Sequence, residues 1–231
     1  MDTGSNIKTH KYYFSDINKI ILDATQSNTT NKPQIRIINA GCFEIAEQFN
    51  SKEVVIHNFA NNKLPGGPCS KFTNEGIFIS NQQWANTQED QLVKRYRENI
   101  LLPHAFYPIC KDNNPGNEAL LYSQCGSTLC DVITIAALQD PNYMKSSQYQ
   151  TMVNRIKLIL AVCAKYDKIL ITGLWGCGAF GGKPKDLADL WQEALSDSRI
   201  PKPSQIIFAI KIDDASSKWG SFEDIEKLFK I

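Results

Sequence analysis

"ILITGLWGCGAFGGKPKDLADLWQEAL", Ile169 to Leu195, is the stretch that decides the fold. An apolar run ends at Gly173, a glycine turn follows, and Pro184 opens a segment of helical periodicity. Strand, turn and helix in that order form the repeating unit of layered α/β proteins. Within the turn, Gly176-Cys177-Gly178-Ala179-Phe180-Gly181 carries the letters of the G-x-G-x-x-G fingerprint of dinucleotide sites. Glycines let a backbone approach a ligand closely. Free N–H groups and a helix N-terminus then suit phosphate oxygens. A bare connecting turn is the simpler reading, but five glycines within residues 173–182 argue against it.

A nicotinamide cofactor fits this turn poorly. The fingerprint needs an acidic residue closing the next strand, about 20 residues on, to hold a ribose. The next apolar run is Gln205–Ile212, and its trailing Asp213 and Asp214 come too late. Phe180 also puts a large ring where a ligand would touch it. No cofactor is expected.

Working outward, other short apolar runs read as buried strands: Gln34–Asn39, Glu53–Phe59, Gly76–Ser80, Asp131–Leu138, Lys168–Gly173 and Gln205–Ile212. Most are continuously apolar, as expected of strands covered on both faces. Helical periodicity marks Phe43–Phe49, Thr87–Asn99, Tyr149–Lys165, Lys185–Leu195 and Ser221–Phe229. In Tyr149–Lys165, Met152, Ile156, Ile159, Leu160 and Cys163 share one face. The alternation argues for α/β layers with helices on both sides of a sheet. Residues 1–33 are polar, with an Asn- and Thr-rich "TQSNTTNKP", and read as a peripheral N-terminal segment. The folded domain is expected over 34–231.

Composition excludes several classes of function. The 231 residues carry a net charge of +1, with no basic stripe for nucleic acid. Apolar runs are strand-sized, so no membrane span is expected. The seven cysteines form no C-x-x-C pair and the three histidines lack ligand spacing, so no metal site is expected. Scattered thiols and the lack of a signal-peptide pattern fit a cytoplasmic protein, and leave delivery into a host cell as an effector open.

A second constellation is "HNFANNKLPGGPC", His57 to Cys69. Asn58 and Asn61 near a strand's end can hydrogen-bond sugar hydroxyls, or simply form turns. Downstream, Thr87 would cap a helix with Gln88, Glu89 and Asp90 in its first turn, where acids are also favourable against the helix dipole. Cys177 has no legible base partner, although His57 and His104 could approach in space.

Together, "RIINAGCFEIAEQF", "VVIHNFANNKLPGGP", "NTQEDQL", "CDVITIAA" and the opening stretch resemble, in order, the bacterial-type poly(ADP-ribose) glycohydrolases. This chain would be a divergent member of those macrodomain proteins. The resemblance implies a three-layer α/β/α macrodomain with a mixed central sheet that binds ADP-ribose, which shares its adenosine diphosphate–ribose portion with NAD. It implies that Gly176, Cys177, Gly178, Ala179 and Phe180 line the pyrophosphate, with Phe180 against the distal ribose. Asn61 would hold that ribose, and Asn58 joins the candidate ADP-ribose-binding residues. Gly66 and Gly67 would open the catalytic loop. Gln88, Glu89 and Asp90 match a Gln-Glu-Glu run whose last acid is catalytic, which points to Asp90 supported by Glu89.

The chain departs from the family at Pro68, where a third glycine is usual, and in a longer spacer that includes Lys71–Trp84. It also departs at Asp90, shorter by a methylene, and at Gly181-Gly182-Lys183 after the turn. The expected function is an ADP-ribosyl glycohydrolase acting on ADP-ribosylated protein, carrying mono-ADP-ribose on a side chain or poly(ADP-ribose). The alternative is a reader that binds ADP-ribose without cleavage. Asp90 as acid, base or hydroxyl acceptor stays open.

Overall fold

The computed structural model describes residues 8–24, 32–60, 70–72, 78–80, 118–123, 130–138, 148–178, 180–212 and 217–230. In chain order the elements are β1 (Lys8–Tyr13), α1 (Ile17–Ala24), β2 (Gln34–Ile38), α2 (Cys42–Ala46) and β3 (Val54–Ala60). Then come β4 (Ser70–Phe72), β5 (Phe78–Ser80), β6 (Glu118–Ser123), β7 (Asp131–Ala136) and α3 (Tyr149–Lys165). β8 (Ile169–Thr172), α4 (Pro184–Ser196), β9 (Gln205–Ala209) and α5 (Phe222–Leu228) complete the order.

Seven strands form one sheet in the order β1-β6-β7-β3-β8-β9-β2. The five from β7 to β2 are parallel, and β6 and β1 add antiparallel pairs at one edge. The sheet is therefore mixed, as expected. Both faces of β7 are buried along its whole length, which is why it reads as a continuous apolar run. On one face, Val55, Ile133, Leu170, Ile206 and Phe208 pack against α1, α3, α4 and α5. On the other, Val54, Ile56, Val132, Ile171 and Ile207 meet Phe43, Ile45 and Ala46 of α2. This makes three layers.

α3 is the central helix. Its five expected core residues are all buried, but so are Val153, Arg155, Leu158, Ala161, Val162 and Ala164. The apolar surface exceeds a single stripe because α1 and α4 flank the helix as well as the sheet. It ends in a Schellman motif: Lys168 N–H donates to the Cys163 carbonyl at 3.0 Å and Asp167 N–H to Ala164 at 3.1 Å. Asp167 sits there at φ 49°, in the left-handed region.

Of the run expected over Gly76–Ser80, the described part is β5, which among the described residues pairs with β4 in a separate antiparallel ladder rather than in the main sheet. Residues before 34 also contribute to the sheet, since β1 pairs with β6 over six positions. Ile20 and Ala24 of α1 are buried, the Tyr12 and Tyr166 hydroxyls hydrogen-bond, and Lys165 pairs with Asp23 at 2.8 Å. Polar composition hid this edge because an edge strand and an outer helix each keep one side in water.

Candidate functional site

The parallel strands β3, β7, β8 and β9 all end on one side of the sheet, where α/β proteins bind ligands. The glycine turn leaves from β8 at that side. Gly173 must be glycine: a Cβ there would stand 2.6 Å from the Ala209 carbonyl oxygen and 3.3 Å from the Phe59 ring. Gly176 has φ 83°, and a Cβ on it would meet Ala137 Cβ at 3.0 Å. The turn is thus pressed between the ends of β9 and β7.

Hydrogen bonds within the turn fix its shape. Cys177 N–H donates to Leu174 at 3.1 Å, Gly181 to Gly178 at 3.1 Å and Gly182 to Gly176 at 3.0 Å. No carbonyl among the described residues accepts from the amides of Gly176, Gly178 or Phe180. Amides left open on such a turn, ahead of a helix start, are donors suited to an anion. Gly178 is exposed, and a Cβ placed on it would find nothing within 4 Å. Phe180 is half-buried, with its ring packed against the edge of the core. α4 then begins with Lys183 as N-cap and Pro184 in the first turn, with no side chain capping its amides.

Beneath the turn lies an aromatic cluster. Trp175 is fully buried and its Nε1 donates to the Ile135 carbonyl at 3.2 Å. Its ring is 5.1 Å from that of His57, which is 5.1 Å from Phe59. His57 Nδ1 hydrogen-bonds Thr172 Oγ1 at 3.0 Å. Burial pushes the His57 pKa down to about 3, against a smaller upward pull from the Ile135 carbonyl. The imidazole is therefore neutral.

Several expected site residues can now be placed. Gly176, Cys177, Gly178 and Phe180 fall together on the turn, but the Cys177 side chain points into the core. Burial, with Asp186 nearby, pushes the Cys177 thiol up to about 12, so it stays protonated and is no nucleophile. Asn58 is fully buried two residues before the end of β3, and its Nδ2 donates to Thr134 Oγ1 at 3.3 Å. Among the described residues its Oδ1 has no hydrogen-bond partner. Asn61, Gly66, Gly67, Gln88, Glu89, Asp90, His104 and Ala179 lie outside the described residues, as does the helix expected over 87–99. Sequence reasoning did not single out Trp175, Thr134 or Thr172. Trp175 carried a signal, since a tryptophan beside a glycine turn needs both room and a partner for its N–H. Among the described residues no acidic, cysteine and histidine cluster could hold a metal, and no helix is long and apolar enough to cross a membrane.

Solved structures with this architecture include bacterial enzymes. The chain superposes on poly(ADP-ribose) glycohydrolase from Deinococcus radiodurans in complex with ADP-ribose with a TM-score of 0.69, at 16% identity. The match covers 96% of this chain and 94% of that one. The fold is that of the bacterial poly(ADP-ribose) glycohydrolases. The enzyme from Thermomonospora curvata is similar too, with a TM-score of 0.61 at 14% identity, covering 96% of this chain and 85% of that one. A structure of that enzyme bound to the inhibitor ADP-HPD gives 0.59. No protein-family model and no curated protein matches the sequence.

Proposed function

We propose that the protein is an ADP-ribosyl glycohydrolase. It would bind ADP-ribose above the C-terminal ends of β3, β7 and β8 and remove it from ADP-ribosylated protein or from poly(ADP-ribose). The observation that carries this reading is the glycine turn, with its open amides at Gly176, Gly178 and Phe180 ahead of α4. Support also comes from the motif order and from the fold shared with glycohydrolases solved with ADP-ribose or an inhibitor.

In this proposal the diphosphate takes those amides, while the Cys177 amide holds the shape of the turn and Ala179 contributes backbone alone. The half-exposed Phe180 ring lies against the distal ribose, and Asn61 holds its hydroxyls. Asn58 lies buried near the end of β3, and among the described residues its Oδ1 is left without a donor. Gly66 and Gly67 let the backbone pass close to the scissile bond. The reaction is hydrolysis of an N- or O-glycosidic bond. Water oxygen bonds to the anomeric carbon, the bond to the side chain or next ribose breaks, and the leaving atom gains a proton. The transition state is oxocarbenium-like. Asp90 supplies the carboxylate that orients water or moves the proton, with Glu89 and Gln88 beside it. A cytoplasmic setting agrees with the thiols of Cys42, Cys163 and Cys177, which form no disulfide.

The test is incubation with ADP-ribosylated protein and, separately, with poly(ADP-ribose), measuring free ADP-ribose. Release from at least one is expected. Tight binding of ADP-ribose with release from neither would make the protein a reader. No binding would overturn the reading altogether.

A further inference from the structure

Arg155 lies in the middle of α3 with 1% of its surface exposed. Helical periodicity puts it there: it follows Met152 by three residues and precedes Ile159 by four, on the apolar side. Its Nη1 donates to the Ala136 carbonyl at 2.7 Å. Among the described residues its Nε has no partner and no carboxylate pairs with it. Burial lowers its pKa to about 10, so it remains a cation at neutral pH. Proteins seldom keep a buried charge without a counter-ion, because its hydration is lost and nothing replaces it.

The acceptor leads to the glycine turn. Ala136 ends β7, and Ala137 is the residue whose Cβ would meet a Cβ on Gly176 at 3.0 Å. Leu138 N–H is held at 3.4 Å by Met152 Sδ, one helical turn from Arg155. One carbonyl and one alanine therefore stand between the guanidinium and the turn. Both alanines are buried, and charges inside a protein are screened less than in water.

We propose that Arg155 is the buried counter-charge of the ligand site. A ligand carrying a diphosphate in the Gly176 turn neutralises it across Ala136 and Ala137, without touching it. The inference rests on the site reading above and adds a residue to it. Arg155 is a positioning residue: it holds the exit of β7 through Ala136 and attracts the anion through space. The apo protein carries the unfavourable charge, and binding relieves it.

The test compares ADP-ribose affinity by calorimetry for wild type, Arg155→Met and Arg155→Lys, with circular dichroism to confirm folding. Arg155→Met should bind on the order of tenfold more weakly, the scale of a charge interaction over such a path. Arg155→Lys should restore most of the affinity at pH 6. A buried lysine loses its proton readily, so that affinity should fall as pH rises to 9, relative to wild type. A merely structural arginine would make Met and Lys equally weak and leave the Lys variant parallel to wild type across pH. Either result overturns the proposal, as does wild-type affinity in Arg155→Met. Should Arg155→Met not fold, the pH profile of Arg155→Lys decides. A wild type that does not bind ADP-ribose refutes the site reading itself, whereas binding that ignores Arg155 refutes this inference alone.

Discussion

Trp175 reaches across β3 to hydrogen-bond the carbonyl of Ile135 on β7, at 3.2 Å. The residue just before Gly176 is thus tied to a strand two places away in the sheet. Trp175→Phe keeps an aromatic body and removes the donor from a buried carbonyl. Such a loss costs about 1–3 kcal/mol. Urea denaturation should show that loss, and ADP-ribose affinity should fall with it. Unchanged affinity would show that the turn keeps its shape without the tie.

Gly178 separates the fold from the site. A Cβ there meets nothing within 4 Å, so a larger residue leaves the packing intact. Gly178→Glu should therefore melt within about 0.5 kcal/mol of wild type, as surface substitutions do. It should abolish ADP-ribose binding, because a carboxylate would enter the anion site. Retained binding by calorimetry would remove the turn from the site.

The proposed function gives Asp90 two roles, residue of a helix's first turn and catalytic carboxylate. Asp90→Asn keeps size and some capping, so stability should drop by no more than about 1 kcal/mol. Single-turnover release of ADP-ribose should slow by roughly 10²–10⁴-fold. Glu89→Gln should slow it less. Near-wild-type release by Asp90→Asn would move the chemistry to Glu89, or to an acid of the preceding segment such as Glu75.

His57 makes stability depend on pH. Its folded pKa, about 3, lies below the ordinary value of 6.5, so between these values the unfolded chain binds a proton that the native protein refuses. Stability is full above pH 6.5 and is lost as pH falls through this window. From pH 6.5 to 5, above the carboxylate range, the slope should approach about 1.4 kcal/mol per pH unit. Urea melts at several pH values give the slope. His57→Gln should flatten it, whatever its absolute stability.

Asp167 closes α3 from a backbone conformation that glycine adopts without strain. Its carboxylate takes part in no ion pair among the described residues. Asp167→Gly should raise stability by about 0.5–1 kcal/mol, read as a higher urea midpoint at unchanged slope. A lower midpoint would mean that the aspartate contributes more than its conformation costs.

The parallel strands were legible because both faces are covered, leaving continuous apolar runs that end close to the observed limits. Gln205–Ile212 narrows to Gln205–Ala209, and Tyr149–Lys165 is matched at both ends. β1 and β6 were not legible: "KTHKYY" and "EALLYS" mix polar and apolar residues because they form the antiparallel margin of the sheet. At the site, the turn was readable from its glycines alone. The burial of Asn58 was not, because alternation along a strand says only that His57 and Asn58 face opposite ways. Here both faces are covered. Arg155 escaped notice for the opposite reason, since a cation inside an apolar helix face looks like an interruption of the pattern.

The order of the sheet also sets an order of assembly. β2 is an edge strand whose one neighbour in the sheet is β9, so Gln34 finds its partner at Gln205. On the ribosome, β2 stays unmatched until β9, 171 residues further along, has emerged. Pairings so distant in sequence are slow to form, and an unmatched strand is open to wrong partners. A nascent chain stopped before β9 should therefore be bound by chaperones or cleaved by proteases at β2, while β3, β7 and β8 already protect one another.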